Sequence, residues 1–358
     1  MRIIQIATNL MPGDAISNHV FELDKILKKA EKNSWICGVE IDERLLGKYS
    51  ITNFEELPDI EPQDIIMYHL CQRHYINEKI DSLKCKKILI YHNITPGHYF
   101  RKYLPVFSKH LDESVVAIKA MSSSFDWCIA DSEYNKQQLI EFGYDEETIN
   151  VIPIPLDFSE FNQPPDEATI NKYSDGYTNI LFVGRIAPNK KFEDIIRIFA
   201  YYKNHLNNKS RLLFVGGSGS DKYYNKLKVY VGALGLSDVE FTEKIPFNEI
   251  LAYFRVADIF LCMSEHEGFC VPLVEAMLFD IPIIAYDCTA IPYTLGGSGV
   301  LVDDKDPVLV SKIIDIIIKD ETVKHEIIKG QQERLEFFNS ERVSGQVLEI
   351  IEKVATLR

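Results

Sequence analysis

The stretch Ser264 to Met277, SEHEGFCVPLVEAM, holds two carboxylates, Glu267 and Glu275, eight positions apart around a glycine, an aromatic residue and a proline. A group of cations stands in GRIAPNKK, where Arg185 and Lys190 follow the apolar run TNILFV. On a loop that feeds a helix, arginine makes paired hydrogen bonds to phosphate oxygens, lysine adds a point charge, and the helix N-terminus supplies amide donors. The plain alternatives are a solvated loop for the cations and, for Glu275, a carboxylate that only complements a helix dipole. Two carboxylates beside a phosphate site repel the ligand unless it also offers hydroxyl donors, and a nucleotide sugar offers both. Its phosphates suit Arg185 and Lys190; its hydroxyls suit Glu267 and Glu275.

Other candidates are weaker. Gly216 to Gly219, GGSG, follows the run SRLLFV, where the absence of a Cβ lets backbone approach a ligand. The full GxGxxG fingerprint with an acidic residue about 20 positions on is missing, so a nicotinamide cofactor is not indicated. No HExxH and no local Cys and His cluster suggests a metal, and Asp304 and Asp306 in VDDKDP read as a polar turn. The expectation is a metal-independent protein with no cofactor beyond its own substrate.

These residues need strands and loops to hold them. In the first half, RIIQIAT, SWICGVEI, DIIMYHL, KKILIYHN and DWCIADS alternate with amphipathic stretches; the pattern restarts with TNILFVGR and runs through SRLLFVGG, VEFTEK, DIFLCMS and IPIIAYD. That rhythm predicts two doubly wound α/β domains with parallel sheets, facing a central cleft, and ligands of such sheets bind at the carboxyl ends of strands. The proline-bearing, periodicity-free run after Val151 reads as a linker and puts the boundary near Leu156. The tail from Val308 reads as three helices. In the helix after EGFC, Pro272 is expected at the first position and Glu275 in the first turn.

With 358 residues, 46% of them hydrophobic and 26% charged, the chain has the size and composition of two globular domains. The net charge of −14 excludes the basic footprint of a nucleic-acid-binding protein. The seven cysteines are scattered and read as reduced thiols, and the start MRIIQIATNLMPGD reads as a first strand rather than a signal peptide. No apolar stretch has the length to cross a bilayer, so the expected location is the cytoplasm. HYFRKYLPVFSKH, residues 98 to 110, mixes aromatic and basic residues and leaves a peripheral contact with the inner face of a membrane open, although an amphipathic helix interrupted by Pro105 is the plainer reading.

EGFCVPLVEAM resembles the E-x7-E signature of retaining glycosyltransferases of the two-Rossmann-domain GT-B class, family 4. MPGDAISNHVFEL, YHNITP, IADSEYNKQQLIEFG, FVGRIAPNKK, LLFVGGSG, YFRVADIFLCMSEHEGF and IPIIAYD resemble segments of that family in the same order, over most of the chain. The resemblance implies a Rossmann-like acceptor domain over 1–155, joined by a last helix of about 341–358 that crosses back to it, and a donor domain over 156–340. It implies that Arg185 and Lys190 hold the donor diphosphate, that Glu267 contacts the sugar and Glu275 the ribose, and that the backbones of Gly268, Phe269 and Cys270 lie near them. Gly217 and Ser218 join this donor set, Gly13 lets a helix start near the phosphates, and His92 stands near the transferred sugar.

Departures from the family pattern are GDA in place of a double glycine, EGFC in place of EGFG, which narrows the space beside the sugar, and the lack of an acidic residue near Ile291 to Tyr293 in AIPYTLGG. The implied activity is that of a retaining hexosyltransferase. It moves a sugar from a nucleotide diphosphate sugar to a hydroxyl acceptor, a glycan or lipid-linked saccharide in surface polysaccharide assembly. A nucleotide-sugar epimerase of the same architecture and a non-catalytic nucleotide-sugar-binding protein are the alternatives. Base, sugar, linkage and oligomeric state are not legible.

Overall fold

Central strands of a parallel sheet are covered on both faces and so read as unbroken apolar runs. In the computed structural model, which describes residues 1–357, these runs form two parallel sheets, one in each of two units. Unit 1 comprises Met1–Gly97, Val106–Asp157 and the residues from Phe338 on; unit 2 comprises His98–Pro105 and Phe158–Phe337.

The strands of unit 1 are β1 (Ile3–Leu10), β2 (Ser34–Ile41), β3 (Ile51–Asn53), β4 (Ile65–Leu70), β5 (Lys86–Tyr91), β6 (Trp127–Ala130) and β7 (Ile149–Val151). Its first helices are α1 (Ala15–Lys29), α2 (Ile76–Ser82), α3 (Pro105–Ala120) and α4 (Glu133–Glu141). The sheet order is β3-β2-β1-β4-β5-β6-β7. All six residues of β4 are buried, as its position inside the sheet requires. Gly13, at φ +74°, precedes Asp14, whose carboxylate accepts from Ser17 N at 3.0 Å and caps α1. Pro105 opens α3 instead of interrupting a helix, because a first-turn proline has no intrahelical hydrogen bond to lose.

Unit 2 runs α5 (Glu167–Tyr173), β8 (Thr178–Val183), α6 (Phe192–His205), β9 (Ser210–Val215), α7 (Asp221–Ala233), β10 (Val239–Phe241) and α8 (Phe247–Val256). It continues with β11 (Ile259–Cys262), α9 (Val271–Leu278), β12 (Ile283–Tyr286), α10 (Ile291–Leu295), β13 (Val300–Val302), α11 (Pro307–Lys319) and α12 (Glu321–Leu335). Its sheet order is β10-β9-β8-β11-β12-β13, so β9, β8 and β11 are neighbours and the loops after them leave the same edge.

The last helix, α13 (Ser340–Thr356), belongs to unit 1. Val343, Val347, Ile350, Ile351 and Val354 recur at helical spacing and are buried in one core with Ile3, Leu27, Ile88, Ile90 and Trp127. At about 1.5–3 kcal/mol for each aliphatic side chain, this face is a large share of what holds unit 1 together. Among the described residues, no helix is long and apolar enough to cross a membrane.

Candidate functional site

Three loops of unit 2 converge because the strands that launch them are adjacent. The β8–α6 and β9–α7 loops are joined by backbone hydrogen bonds: Gly184 N donates to Val215 O, Ile186 N to Gly217 O, and Gly219 N to Ile186 O. A Cβ on Gly216, at φ +139°, would lie 2.4 Å from Gly184 O, so only glycine allows this approach. Arg185 is exposed, its Cδ is 3.4 Å from where a Cβ of Gly219 would be, and it makes no hydrogen bond or ion pair among the described residues. The glycine turn that includes Gly217 and Ser218 thus lies against an uncommitted guanidinium from the neighbouring loop.

The β8–α6 and β11–α9 loops are also tied together. Glu265 N donates to Asn189 O at 2.8 Å, and Asn189 Nδ2 donates to His266 O at 3.0 Å. Lys190 Nζ lies 2.6 and 2.7 Å from the two carboxylate oxygens of Glu267, so the expected phosphate cation and the expected sugar ligand are paired with each other. Burial disfavours the ammonium charge, but the adjacent Glu267 carboxylate more than offsets it and the Lys190 pKa lies above its ordinary value. Glu267 N donates to Thr289 Oγ1 at 2.9 Å, and Phe269 O accepts from the Thr294 hydroxyl.

Gly268, Phe269 and Cys270 lead into α9. Cys270 is buried and left-handed, at φ +72° and ψ +64°, a conformation that suits glycine and costs another residue about 1–3 kcal/mol. Its thiol is pushed up by a hydrogen bond to Cys262 and by burial. Cys270 caps the helix, so Val271 is its first residue, Pro272 its second, and Glu275 falls beyond the first turn, later than the sequence suggests. The dipole explanation for Glu275 loses force with that shift.

In unit 1, His92 follows β5 and uses both ring nitrogens: Nδ1 lies 2.8 Å from Asp131 Oδ2 and Nε2 lies 2.9 Å from His69 Nδ1. Burial lifts the Asp131 carboxyl, an effect His92 partly opposes. Among the described residues, two buried groups have the spacing to hold a metal ion: His19, His69 and His92 in unit 1, and Cys262, Glu267 and Cys270 in unit 2. The second has its carboxylate engaged by Lys190.

Residues 166–334 match the family profile described as glycosyl transferases group 1. Over this stretch, just under half of the chain, the protein is similar to group 1 glycosyl transferases. Arg185, Lys190, Glu267 and Glu275 all lie within the stretch. The chain is 30% identical over 195 residues to the D-inositol 3-phosphate glycosyltransferase of Corynebacterium jeikeium, a match covering 51% of this chain and 46% of that protein. It spans less than half the length of the first curated relatives it matches. Over 99% of its length it superposes on Anabaena Alr3699/HepE in complex with UDP and glucose, covering 100% of that chain, with a TM-score of 0.75 and 18% identity. Sucrose-phosphate synthase from Thermosynechococcus elongatus gives a TM-score of 0.80 at 17% identity, over 99% of both chains. Identities this low bear on the fold, which is the GT-B pair of parallel-sheet α/β units.

The matched stretch also contains charged neighbours of these residues that sequence reasoning passed over. Glu265 takes Lys191 Nζ at 2.8 Å on one oxygen and Lys305 Nζ at 2.9 Å on the other, while Lys305 also reaches Asp194 at 3.1 Å. The VDDKDP turn therefore contributes its lysine, not its aspartates. Tyr99 Oη donates to Glu265 O at 3.3 Å, which binds the 98–105 segment into unit 2. These contacts pair Lys191 and Lys305 with carboxylates and leave Arg185 as the uncommitted cation of the three loops.

Glu275 has no hydrogen bond or ion pair among the described residues, and burial lifts its carboxyl from 4.5 to about 7. An acid whose folded value lies above its unfolded one favours the native state fully below the unfolded value, near 4.5, and loses that contribution as pH rises through about 7. Glu275→Gln is therefore expected to melt with the wild type at pH 5 and above it at pH 8. Thermal melts at the two pH values test this; a difference that ignores pH would show that the carboxyl is not held protonated by burial.

Proposed function

We propose that the protein transfers a sugar from a nucleoside diphosphate sugar to a hydroxyl acceptor, with unit 2 as the donor-binding half. The observation that carries this reading is the free Arg185, lying beside the glycine turn 216–219 in the loop that bears Lys190, which is paired with Glu267. Arg185 supplies a planar fork for phosphate oxygens. Glu267, although held by Lys190, retains lone pairs that accept from sugar hydroxyls, and Glu275 is an uncommitted acceptor for a ribose diol. The UDP and glucose in Alr3699/HepE and the glycosyltransferase names of the sequence relatives support a donor of this kind.

The barrier in such a transfer is departure of the nucleoside diphosphate. Arg185 and Lys190 stabilise the charge growing on the leaving phosphate, a task a metal ion performs in other architectures. In this reading the reaction retains configuration, no carboxylate acts as a nucleophile, and the leaving phosphate helps to deprotonate the acceptor. His92 of unit 1 remains a proposed participant. With both its ring nitrogens engaged, it must act through a neighbour or release one. We place the acceptor among glycans or lipid-linked saccharides of surface polysaccharide assembly.

A ligand that binds only the native state stabilises it by RT ln(1 + [L]/Kd), about 2.7 kcal/mol at a hundredfold excess over Kd. A melting panel of UDP, GDP, ADP and their sugars is thus expected to give a clear upward shift with one base, UDP first. A panel in which no nucleotide moves the transition would overturn the donor reading.

A further inference from the structure

Three imidazoles meet at the C-terminal ends of the central strands of unit 1. His69 lies in β4, His92 directly follows β5, and His19 lies in α1. One ring nitrogen of each is within 4.8 Å of those of the other two. His19 and His69 are 2% and 1% exposed, and the His92 side chain is 3% exposed.

Hydrogen-bond counting constrains what lies among them. Gln5 Nε2 donates to Val20 O at 3.1 Å, which turns Gln5 Oε1 toward His69 Nε2, 3.1 Å away. An amide oxygen only accepts, so His69 Nε2 carries the hydrogen and a neutral His69 presents a lone pair at Nδ1. At the other end, a neutral His92 that donates from Nδ1 to the Asp131 carboxylate presents a lone pair at Nε2. The two lone pairs face each other across 2.9 Å. That arrangement requires either one extra proton in the row, on the imidazoles or on Asp131, or a metal cation. A proton leaves part of the cluster unaccounted for: His19 Nδ1 and Asp131 Oδ1 lie 3.8 Å apart, both buried and both without a hydrogen-bond partner. A metal ion among the three rings would take a lone pair from His19 as well, which a proton shared between His69 and His92 does not.

We propose that His19, His69 and His92 bind one divalent transition-metal ion of the class that prefers imidazole, with zinc(II) as its representative, and that Gln5 and Asp131 orient two of these ligands from behind. Ligating histidines commonly donate their outer N–H to a carboxylate or carbonyl, which fixes ring and tautomer, and His69 and His92 have such partners. Zinc–nitrogen bonds of about 2.0–2.1 Å place tetrahedral ligands about 3.4 Å apart; here His69 Nδ1 and His92 Nε2 are 2.9 Å apart, and one nitrogen of each of the three rings lies within 4.8 Å of the others. Three protein ligands leave a fourth position for water or another oxygen ligand. The proposal concerns unit 1 alone and does not depend on the donor reading, but it replaces the part given to His92 in transfer, since Asp131 and the ion would hold both its ring nitrogens.

The test uses the full chain, stripped with a chelator and then loaded with Zn2+ or Co2+. Expected are one zinc per chain after gel filtration, a rise in melting temperature with zinc, and visible absorption from tetrahedral cobalt. Asp131→Asn is expected to weaken zinc about 10–100-fold, and His69→Ala to abolish the cobalt absorption. Wild-type protein that retains only traces of zinc and gives no cobalt band would overturn the proposal, as would zinc binding unchanged by both substitutions. If His69→Ala does not fold, the wild-type spectrum and the near-isosteric Asp131→Asn still decide the matter.

Discussion

Lys190→Ala is expected to cost about 3–5 kcal/mol of folding stability and to remove detectable transfer. The substitution leaves the Glu267 carboxylate, whose side chain is only 7% exposed, without the ammonium that now meets both its oxygens. Domains of this kind are stable by only about 5–15 kcal/mol, so the loss should be plain in a denaturant titration. Glu267→Ala should cost a similar amount, because it strands the cation instead. A double variant with Met at 190 and Leu at 267 should recover much of the stability while remaining inactive, since replacing both partners of a buried pair by apolar groups is often nearly neutral. Single variants as stable as the wild type would mean that the pair is solvated and contributes little.

Arg185→Ala should separate binding from stability. The guanidinium is exposed and makes no hydrogen bond or ion pair among the described residues, so its removal should leave the melting temperature within a degree or so. If it grips the donor diphosphate, the same change should weaken nucleoside diphosphate binding by about 10–100-fold, from charged hydrogen bonds of about 1.5–3 kcal/mol. kcat/KM should fall by about 10²–10³ if its contact strengthens as the phosphate leaves. Arg185→Lys should recover only part of the affinity, since an ammonium lacks the planar fork. Calorimetry with UDP reads the first effect; unchanged affinity would remove Arg185 from the site.

Much of the frame was legible in sequence because buried parallel strands announce themselves, as IIMYHL and DIFLCMS do, and because chemistry-bearing residues of α/β units follow such strands. Arg185, Glu267 and Glu275 could be picked out on that ground. Three-dimensional partners could not. Lys190 and Glu267 are 77 residues apart, and nothing local says that they spend their charges on each other. The left-handed backbone at Cys270 moved the start of α9 and with it the position of Glu275. Spacing motifs detect metal ligands that are neighbours in sequence; His19, His69 and His92, the ligands proposed above, come from three separate elements that only the tertiary fold brings together. The pairing of Tyr99 with Glu265, 166 positions on, is likewise a tertiary event.

Helix α13 has a further consequence for how the molecule is made. The core of unit 1 is lined by β1 at one end of the chain and by Val343 to Val354 near the other. During synthesis, the ribosome emits the seven strands of unit 1 well before the helix that covers them. All of unit 2 emerges in between, so the later-started body has its full set of elements first. Until α13 arrives, Ile3, Ile88, Ile90 and Trp127 form an apolar face still open to water. That nascent interval is when this chain most needs shielding from its neighbours.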